Sequence, residues 1–325
     1  MRHTPVLLQE VIHGLDLERG DVFVDCNLGD GGHTQAIIEK FEGNIKVIAF
    51  DLDGDAVDRA TTNIFDTKVA AEGKFPKENL KIFRRNFKAI GECCNESETA
   101  SFIGKEGIQG ILFDLGLSSY ELEESGRGFT FRKDEPLSMT FGVSSDHVFT
   151  ASDIVNNWAE EHIVSIIKGY GEDIFAKRIA KAIVAARGAR TENSEPEHPI
   201  TTTFQLAEIV KQAVPFYKRN GKIHPATKTF QALRIAVNDE LTALEEALPQ
   251  AFELLRNGGR LVVISYHSLE DRIVKRYFKT LTEPEDGKPI ATSLSKKPMV
   301  PTEGEIGKNP RSRSAKLRII EKVAP

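Results

Sequence analysis

The chain has 325 residues, of which 40% are hydrophobic and 28% charged, with a formal net charge of −5. That length supplies a large core and, at about 100–200 residues per domain, room for two domains, while the acidic balance leaves any nucleic-acid contact to local basic patches. No apolar run approaches the roughly 20 residues of a membrane span, and the opening MRHTPVLLQEVIHGL lacks the basic-then-apolar pattern of a secretory signal. Cys26, Cys93 and Cys94 are odd in number and have no metal-ligand spacing, which suits a reducing compartment. The expectation is a cytoplasmic α/β protein with no membrane partner and no metal.

In chain order, Asp21–Asp25 reads as a first strand, ended by a glycine cluster, and Thr34–Phe41 as a helix. Ile45–Phe50, Leu80–Phe83 and Ile111–Phe113 follow as strands, the alternation of short β-rich runs with helical patterns that marks βαβ units and a parallel sheet. Almost 150 residues then separate the fourth strand from a fifth at Gly259–Ser265, far more than one crossover needs. Within that span Ala151–Trp158, Glu161–Tyr170, Asp173–Arg187 and Thr203–Phe216 carry apolar residues at three- and four-residue spacing. A helical domain inserted over residues 122–224 is the economical reading, leaving 1–121 and 225–325 as the sheet domain. The chain returns through one long helix, Thr227–Leu248, with Phe230, Leu233, Val237, Leu241, Leu244 and Leu248 as a single apolar stripe. Lys316–Ile320 alternates as a last strand.

The glycine cluster lies in DCNLGDGGH, Asp25–His33. Glycines there permit a tight turn and let backbone amides approach a ligand. Asp51 ends the second strand about 20 residues later, where an acid commonly binds both hydroxyls of a ribose. A dinucleotide fingerprint requires a further glycine where Thr34 stands, so an S-adenosylmethionine pocket suits this turn better than a pyrophosphate cradle; an ordinary βα turn is the bland alternative. Phe87 offers either a cover for an adenine ring or core packing.

Ligands sit at the carboxyl ends of strands in such sheets, so Asp114, ending FDLGLSS, is expected to face the same crevice. A carboxylate accepting N–H bonds from an exocyclic amine localises its lone pair and stabilises the charge that develops during methyl transfer. Gly116 allows a sharp turn, and Ser118 and Ser119 offer hydrogen bonds or a helix cap.

These residues and several longer blocks, HTPVLLQEV, LGDGGH, RGFTFRKDEPLSM, YGEDIFAKRIAKAI, HPATKTFQALRIAVNDEL, YHSLEDRIVKRYF and NPRSRSAKLR, run through the whole chain in one order. In them the sequence resembles the bacterial ribosomal RNA small-subunit methyltransferase H family. The resemblance implies a class I (Rossmann-like) methyltransferase sheet domain with an all-helical insertion for substrate recognition. It also implies methyl transfer from S-adenosylmethionine to the 4-amino group of a cytidine in 16S ribosomal RNA, free or in the small ribosomal subunit. Carried over by position, it implies that Gly31, Gly32 and His33 contact the methionine end of the cofactor, Asp51 the ribose, and Phe87 and Asp114 the adenosine or methyl-donor region. Glu121 stands where the family commonly has Gln, which puts a charge near the cofactor.

Beyond the fifth strand, Ser268 with Asp271 fits a capping box for a helix Leu269–Phe278. His267 is either packing or a proton acceptor or base-edge donor reaching the crevice, and Asp114, Ser118 and His267 are the catalytic candidates. Gln231, Arg234 and Asn238 share a polar helix side. Two basic groups, Lys308–Arg311–Arg313–Lys316–Arg318 and Lys211–Lys218–Arg219–Lys222, are candidates for phosphate contact or a solvated face. Phe129 and Phe131, beside Arg127 and Arg132, either stack on an unpaired base or anchor their loop. Because a paired base hides its amino group, the substrate nucleotide is exposed or flipped; the insert offers a face for homodimerisation.

Overall fold

Short Val-, Ile- and Phe-rich runs form a seven-stranded sheet in the computed structural model, which describes residues 5–142, 148–189, 196–221 and 223–323. The strands are β1 (Val22–Asp25), β2 (Lys46–Phe50), β3 (Leu80–Phe83), β4 (Ile108–Asp114), β5 (Leu255–Ser265), β6 (Ala291–Ser293) and β7 (Lys316–Lys322). Their order is β3-β2-β1-β4-β5-β7-β6. β1 to β5 run parallel and β7 is antiparallel to both neighbours, the α/β arrangement expected of a class I methyltransferase. β6 is an addition to the expected strands; three residues of mixed polarity carry no periodic signal.

Both sheet faces are buried, and the period of two sorts each strand between them. Val24, Phe50, Phe113 and Val263 join one core with helix residues Leu244, Leu248 and Phe278. Phe23, Val47, Leu112 and Val262 join the other, with Leu15, Ile37 and Ile64.

The chain packs as two units, Met1–Gly116 with Leu241–Pro325 and Leu117–Glu240, rather than with bounds at 121/122 and 224/225. The second unit is helical, with helices at Ala151–Asn157, Glu160–Gly171, Ala176–Arg187, Thr203–Ala213 and Thr227–Asn238, and a core that includes Ile154, Ile167, Ile179, Ile183, Leu206 and Leu233. The first two match the expected spans to within a residue at each end, and the next two are three residues shorter at one end. Asp173 Oδ1 accepts the Phe175 N–H at 2.8 Å, a local bond that competes with helix entry, and Pro215 stops the helix from Thr203.

The boundary at 240 reflects a corrected element. The single helix expected over Thr227–Leu248 is two, Thr227–Asn238 and Glu240–Leu254, separated by Asp239 in the left-handed region at φ 50°. The apolar spacing runs on through the break, but Phe230, Leu233 and Val237 pack in the helical unit and Leu244 and Leu248 in the sheet unit. Asn238, expected on a polar helix side, points inward: it donates to the Met139 carbonyl at 2.7 Å and accepts the Phe141 N–H at 2.7 Å. Met139 sits at φ 57°, so this amide pins a strained loop. Asn238→Ala orphans both backbone groups and lowers unfolding free energy by about 2–3 kcal/mol; a thermal melt at the wild-type midpoint would contradict this.

Among the described residues, no helix is long and apolar enough to cross a membrane.

Candidate active site

The glycine turn follows β1 and is braced on several sides. Cys26 N–H bonds to the Leu112 carbonyl and Leu28 N–H to the Phe50 carbonyl, each at 2.9 Å, so the turn hangs from the ends of β4 and β2. Arg59 Nε donates to Asp30 Oδ1 at 2.9 Å and Asn63 donates to the Asp30 carbonyl at 3.0 Å. Gly31, at φ 81°, is the N-cap of helix Gly32–Lys40 and leaves its first amides without a side-chain cap. Those amides and the helix dipole favour a negatively charged group.

Gly32 serves a second purpose. A Cβ on it would lie 2.7 Å from the Pro5 ring, so the residue keeps room for the N-terminal segment rather than only for a ligand. Alanine's better helix propensity is worth about 1 kcal/mol, but the proline ring cannot rotate away. Gly32→Ala therefore costs roughly 1–3 kcal/mol of overpacking, to be read as a lower unfolding midpoint.

Three acids and a histidine converge below this turn. Asp25 is buried, accepts the Thr34 hydroxyl at 2.7 Å and the Asn27 N–H at 3.1 Å, and has its carboxyl pushed up by burial, partly countered by Thr34 and His33. Asp51 accepts N–H bonds from Gly29 at 2.7 Å and Asp53 at 2.9 Å; burial outweighs those bonds and raises it to about 6. Asp114 ends β4, its side chain 23% exposed, with Oδ2 3.4 Å from His33 Nε2. That distance permits charge pairing, but the contact lacks hydrogen-bond alignment: both His33 ring nitrogens, like Asn27 Oδ1, are buried without a hydrogen-bond partner. Buried polar atoms without partners call for a water, an ion or a ligand group to complete them. Gly29, at φ 52°, has open space where a Cβ would stand.

Tyr266 completes the group, and the sequence reading missed it. Its hydroxyl donates to Asp114 Oδ1 at 2.8 Å; burial and the Asp114 charge push the phenol well above its usual value, so it remains a donor. Asp114 pairs with Ile264 across β4 and β5, so a residue two positions past Ile264 lands at the same edge. That register was the signal available. Phe87 packs edge-on against Phe113, ring centroids 5.4 Å apart at 83°, and is partly buried.

His267, Ser118 and Glu121 have other partners. His267, not Ser268, is the N-cap of helix Ser268–Thr282, and Glu270, not Asp271, closes the capping box: Nδ1 accepts the Glu270 N–H at 3.3 Å, and Glu270 accepts the His267 N–H at 3.1 Å. An imidazole nitrogen thus replaces the expected hydroxyl. Asp271 instead receives Arg318 at 2.7 Å and Lys316 at 3.1 Å; burial raises its carboxyl, but the two cations outweigh this and hold it below its usual value. Two members of the expected basic tail are therefore neutralised within the fold, while Lys308 and Arg313 stay exposed. In the helical unit, Ser118 caps helix Ser119–Glu123 with Glu121, whose carboxylate accepts the Ser118 N–H at 2.7 Å. Phe129 stacks on Phe141, and Phe131 packs between His224 and Phe230, so both anchor their loop. Lys222 and the Ser119 side chain lie outside the described structure.

A model of the family described as the MraW methylase family matches residues 1–323. Relatives named ribosomal RNA small subunit methyltransferase H include that of Paenibacillus sp. (strain JDR-2), 42% identical and covering 99% of both chains. That of Geotalea uraniireducens (strain Rf4) is 42% identical over 99% of this chain and 98% of its own. That of Dehalococcoides mccartyi (strain ATCC BAA-2100 / JCM 16839 / KCTC 5957 / BAV1) is 41% identical over 99% and 86%. With this match spanning the sheet, the glycine turn and the Asp114–Tyr266 edge, the chain belongs to the MraW methylase family and is an S-adenosylmethionine-dependent methyltransferase.

Proposed function

We propose that the methyl acceptor is the 4-amino group of a cytidine in small-subunit ribosomal RNA, and that Asp114 is the catalytic residue. The observation that carries this reading is the Asp114 carboxylate at the carboxyl end of β4, oriented through Oδ1 by Tyr266 and flanked at Oδ2 by His33. The names of the relatives support the choice of RNA.

The cofactor's part is an electrophilic methyl group on a sulfonium. Asp51, in its ionised form, would accept hydrogen bonds from the two ribose hydroxyls. The amides at Gly32 and His33, at the positive end of their helix, would hold the carboxylate of the methionine end, and Asn27 Oδ1 would accept from its ammonium. Phe87 would present apolar surface to the adenine. Neither Ser118 nor Glu121 has a chemical step in this scheme, and the capping bond at Nδ1 of His267 gives that ring an orienting task.

A cytosine amine is a weak nucleophile because its lone pair is delocalised into the ring. Asp114 Oδ2, accepting one amine N–H, raises electron density on nitrogen and opposes the positive charge formed as the N–C bond forms and the C–S bond breaks. The nitrogen then sheds a proton, which Asp114 or water takes; a strong base is unnecessary because the alkylated amine is acidic. Tyr266, a protonated donor, keeps Oδ1 occupied so that Oδ2 faces the amine, a positioning task. The helical insert, residues 117–240, recognises the RNA, and the enzyme acts in the cytoplasm.

The test is to incubate purified protein with labelled S-adenosylmethionine and small-subunit RNA or subunits from cells lacking this gene, then map modified nucleotides by mass spectrometry. One cytidine gaining a single exocyclic methyl is expected; label at carbon 5, on ribose, or nowhere would overturn the reading.

A further inference from the structure

The helical unit exposes two adjacent aromatic side chains that its own core does not use. Phe216 and Tyr217 are 77% and 74% exposed, on the one-turn helix Phe216–Arg219. Aromatic rings carry the largest apolar area of any side chain, so leaving two in water is a cost that an isolated surface leucine does not match. The turn is also held in shape. Pro215 sets its entry, and Arg219 donates to the Gln212 carbonyl at 2.9 Å and the Val214 carbonyl at 3.2 Å, bonds to neutral acceptors that leave the guanidinium charge in place.

The surrounding charge is predominantly positive, with exposed Glu208, which accepts from the Gln212 side chain at 3.0 Å, the acid at its edge. From Ile209 to Asn238 the sequence contains no Asp or Glu, but six cations, Lys211, Lys218, Arg219, Lys222, Lys228 and Arg234, in a chain whose net charge is −5. Of these, Arg234 is neutralised by a bidentate pair with Glu240 at 2.8 Å. Lys228 donates to the Glu172 carbonyl, again a neutral acceptor. The ammonium of Lys218 lies 5.8 Å from the Tyr217 ring centroid; Lys211 lies near His224, whose pKa burial lowers, with Lys211 adding to the shift and Glu208 opposing it.

From this we infer that Phe216 and Tyr217 form a stacking platform for unpaired bases of an RNA strand, with Lys211, Lys218 and Arg219 attracting its phosphates. Exposed rings supply π-faces that accept any base, and the cations supply the salt-dependent part of binding. A second copy of this chain is the obvious rival occupant for an apolar patch. A two-fold interface, however, sets the same surface against itself, which here brings a patch with more cations than acids against its own copy, whereas a polyanion with flat bases satisfies both features. The inference rests on ribosomal RNA as the acceptor and names the surface that holds it.

The test compares wild type with Phe216→Ala/Tyr217→Ala, Phe216→Tyr/Tyr217→Phe and Lys218→Gln, using a fluorescein-labelled 12-nucleotide oligouridine and small-subunit ribosomal RNA. The double alanine variant should bind both RNAs about 10-fold or more weakly and raise KM for ribosomal RNA to match. Its kcat, its S-adenosylhomocysteine affinity and its melting temperature stay at wild-type values. The aromatic-exchange variant keeps full affinity. Lys218→Gln reduces the slope of log affinity against log salt by about 1. Unchanged Kd and KM in the double alanine variant, in a wild type that does methylate ribosomal RNA, would overturn the platform alone. So would loss of a wild-type dimer in sedimentation, which would assign the patch to self-association. Oligouridine binding that depends on both rings, in a protein that methylates no ribosomal RNA, would support the platform and overturn the acceptor reading.

Discussion

Asp114→Ala should lower kcat by about 10²–10⁴-fold, the range of a positioned proton-accepting or charge-stabilising side chain, while S-adenosylhomocysteine affinity falls by no more than about 10-fold. The reasoning is differential: the product analogue carries no methyl and no developing charge, so most of what Asp114 contributes is absent from its complex. Asp114→Asn separates charge from shape, retaining one acceptor oxygen but no negative charge, and belongs near the alanine variant if charge dominates. Tyr266→Phe is the finer probe. The hydroxyl donates to Asp114 Oδ1 at 2.8 Å, and its loss frees the carboxylate to rotate; about a 10-fold drop in kcat at unchanged cofactor affinity is expected. Single-turnover assays with saturating RNA measure all three. A wild-type single-turnover rate in Asp114→Ala would remove the carboxylate from the chemistry.

The second large effect concerns pH and Asp51. Its carboxyl titrates at about 6 in the fold, against an ordinary 3.8, because burial of the ionised form outweighs the N–H bonds from Gly29 and Asp53. The folded protein therefore binds more protons than the unfolded chain between those values, and the stability contributed by this site falls as pH rises through that window. At about 1.4 kcal/mol per unit, the penalty above pH 6 is on the order of 3 kcal/mol before the group's partial exposure is allowed for. Cofactor binding runs the other way. Ribose hydroxyls donate best to a carboxylate, so S-adenosylhomocysteine affinity should rise about tenfold per pH unit up to about 6 and level off above it. Asp51→Asn should flatten that profile and weaken binding at pH 7.5 by about 10²-fold, since a charge-assisted pair of hydrogen bonds is replaced by neutral ones. Calorimetric titration from pH 5 to 8 gives both curves, and a wild-type affinity independent of pH would contradict the assignment.

An unligated protein destabilised by its own ionised Asp51 is a usual arrangement for a binding site, where a group is desolvated in advance of its partner. The orphaned nitrogens of His33 and Asn27 Oδ1 belong to the same account. Each is a desolvation cost that the proposed cofactor contacts would offset.

Much of this was readable from the residues in order. Buried strands are short, β-rich and bounded by turns, so β1 to β5 and β7 announce themselves locally, as do the glycine turn after β1 and the acids that end β2 and β4. The long family blocks carry the reaction class, because a run of residues in one order is a property of sequence alone. What required tertiary structure was every choice between two local solutions of similar energy. Whether residues 227–248 form one helix or two depends on which of two cores captures each half of the same apolar stripe, and only packing decides that. That Nδ1 of His267 caps a helix depends on Glu270, a capping partner that a hydroxyl-based motif does not suggest. Tyr266 becomes part of the site only when strand register sets it beside Asp114. Sequence determines which elements form because their signals lie within a few residues; partners across strands and between cores are set by contacts distant in the chain, which carry no local signature.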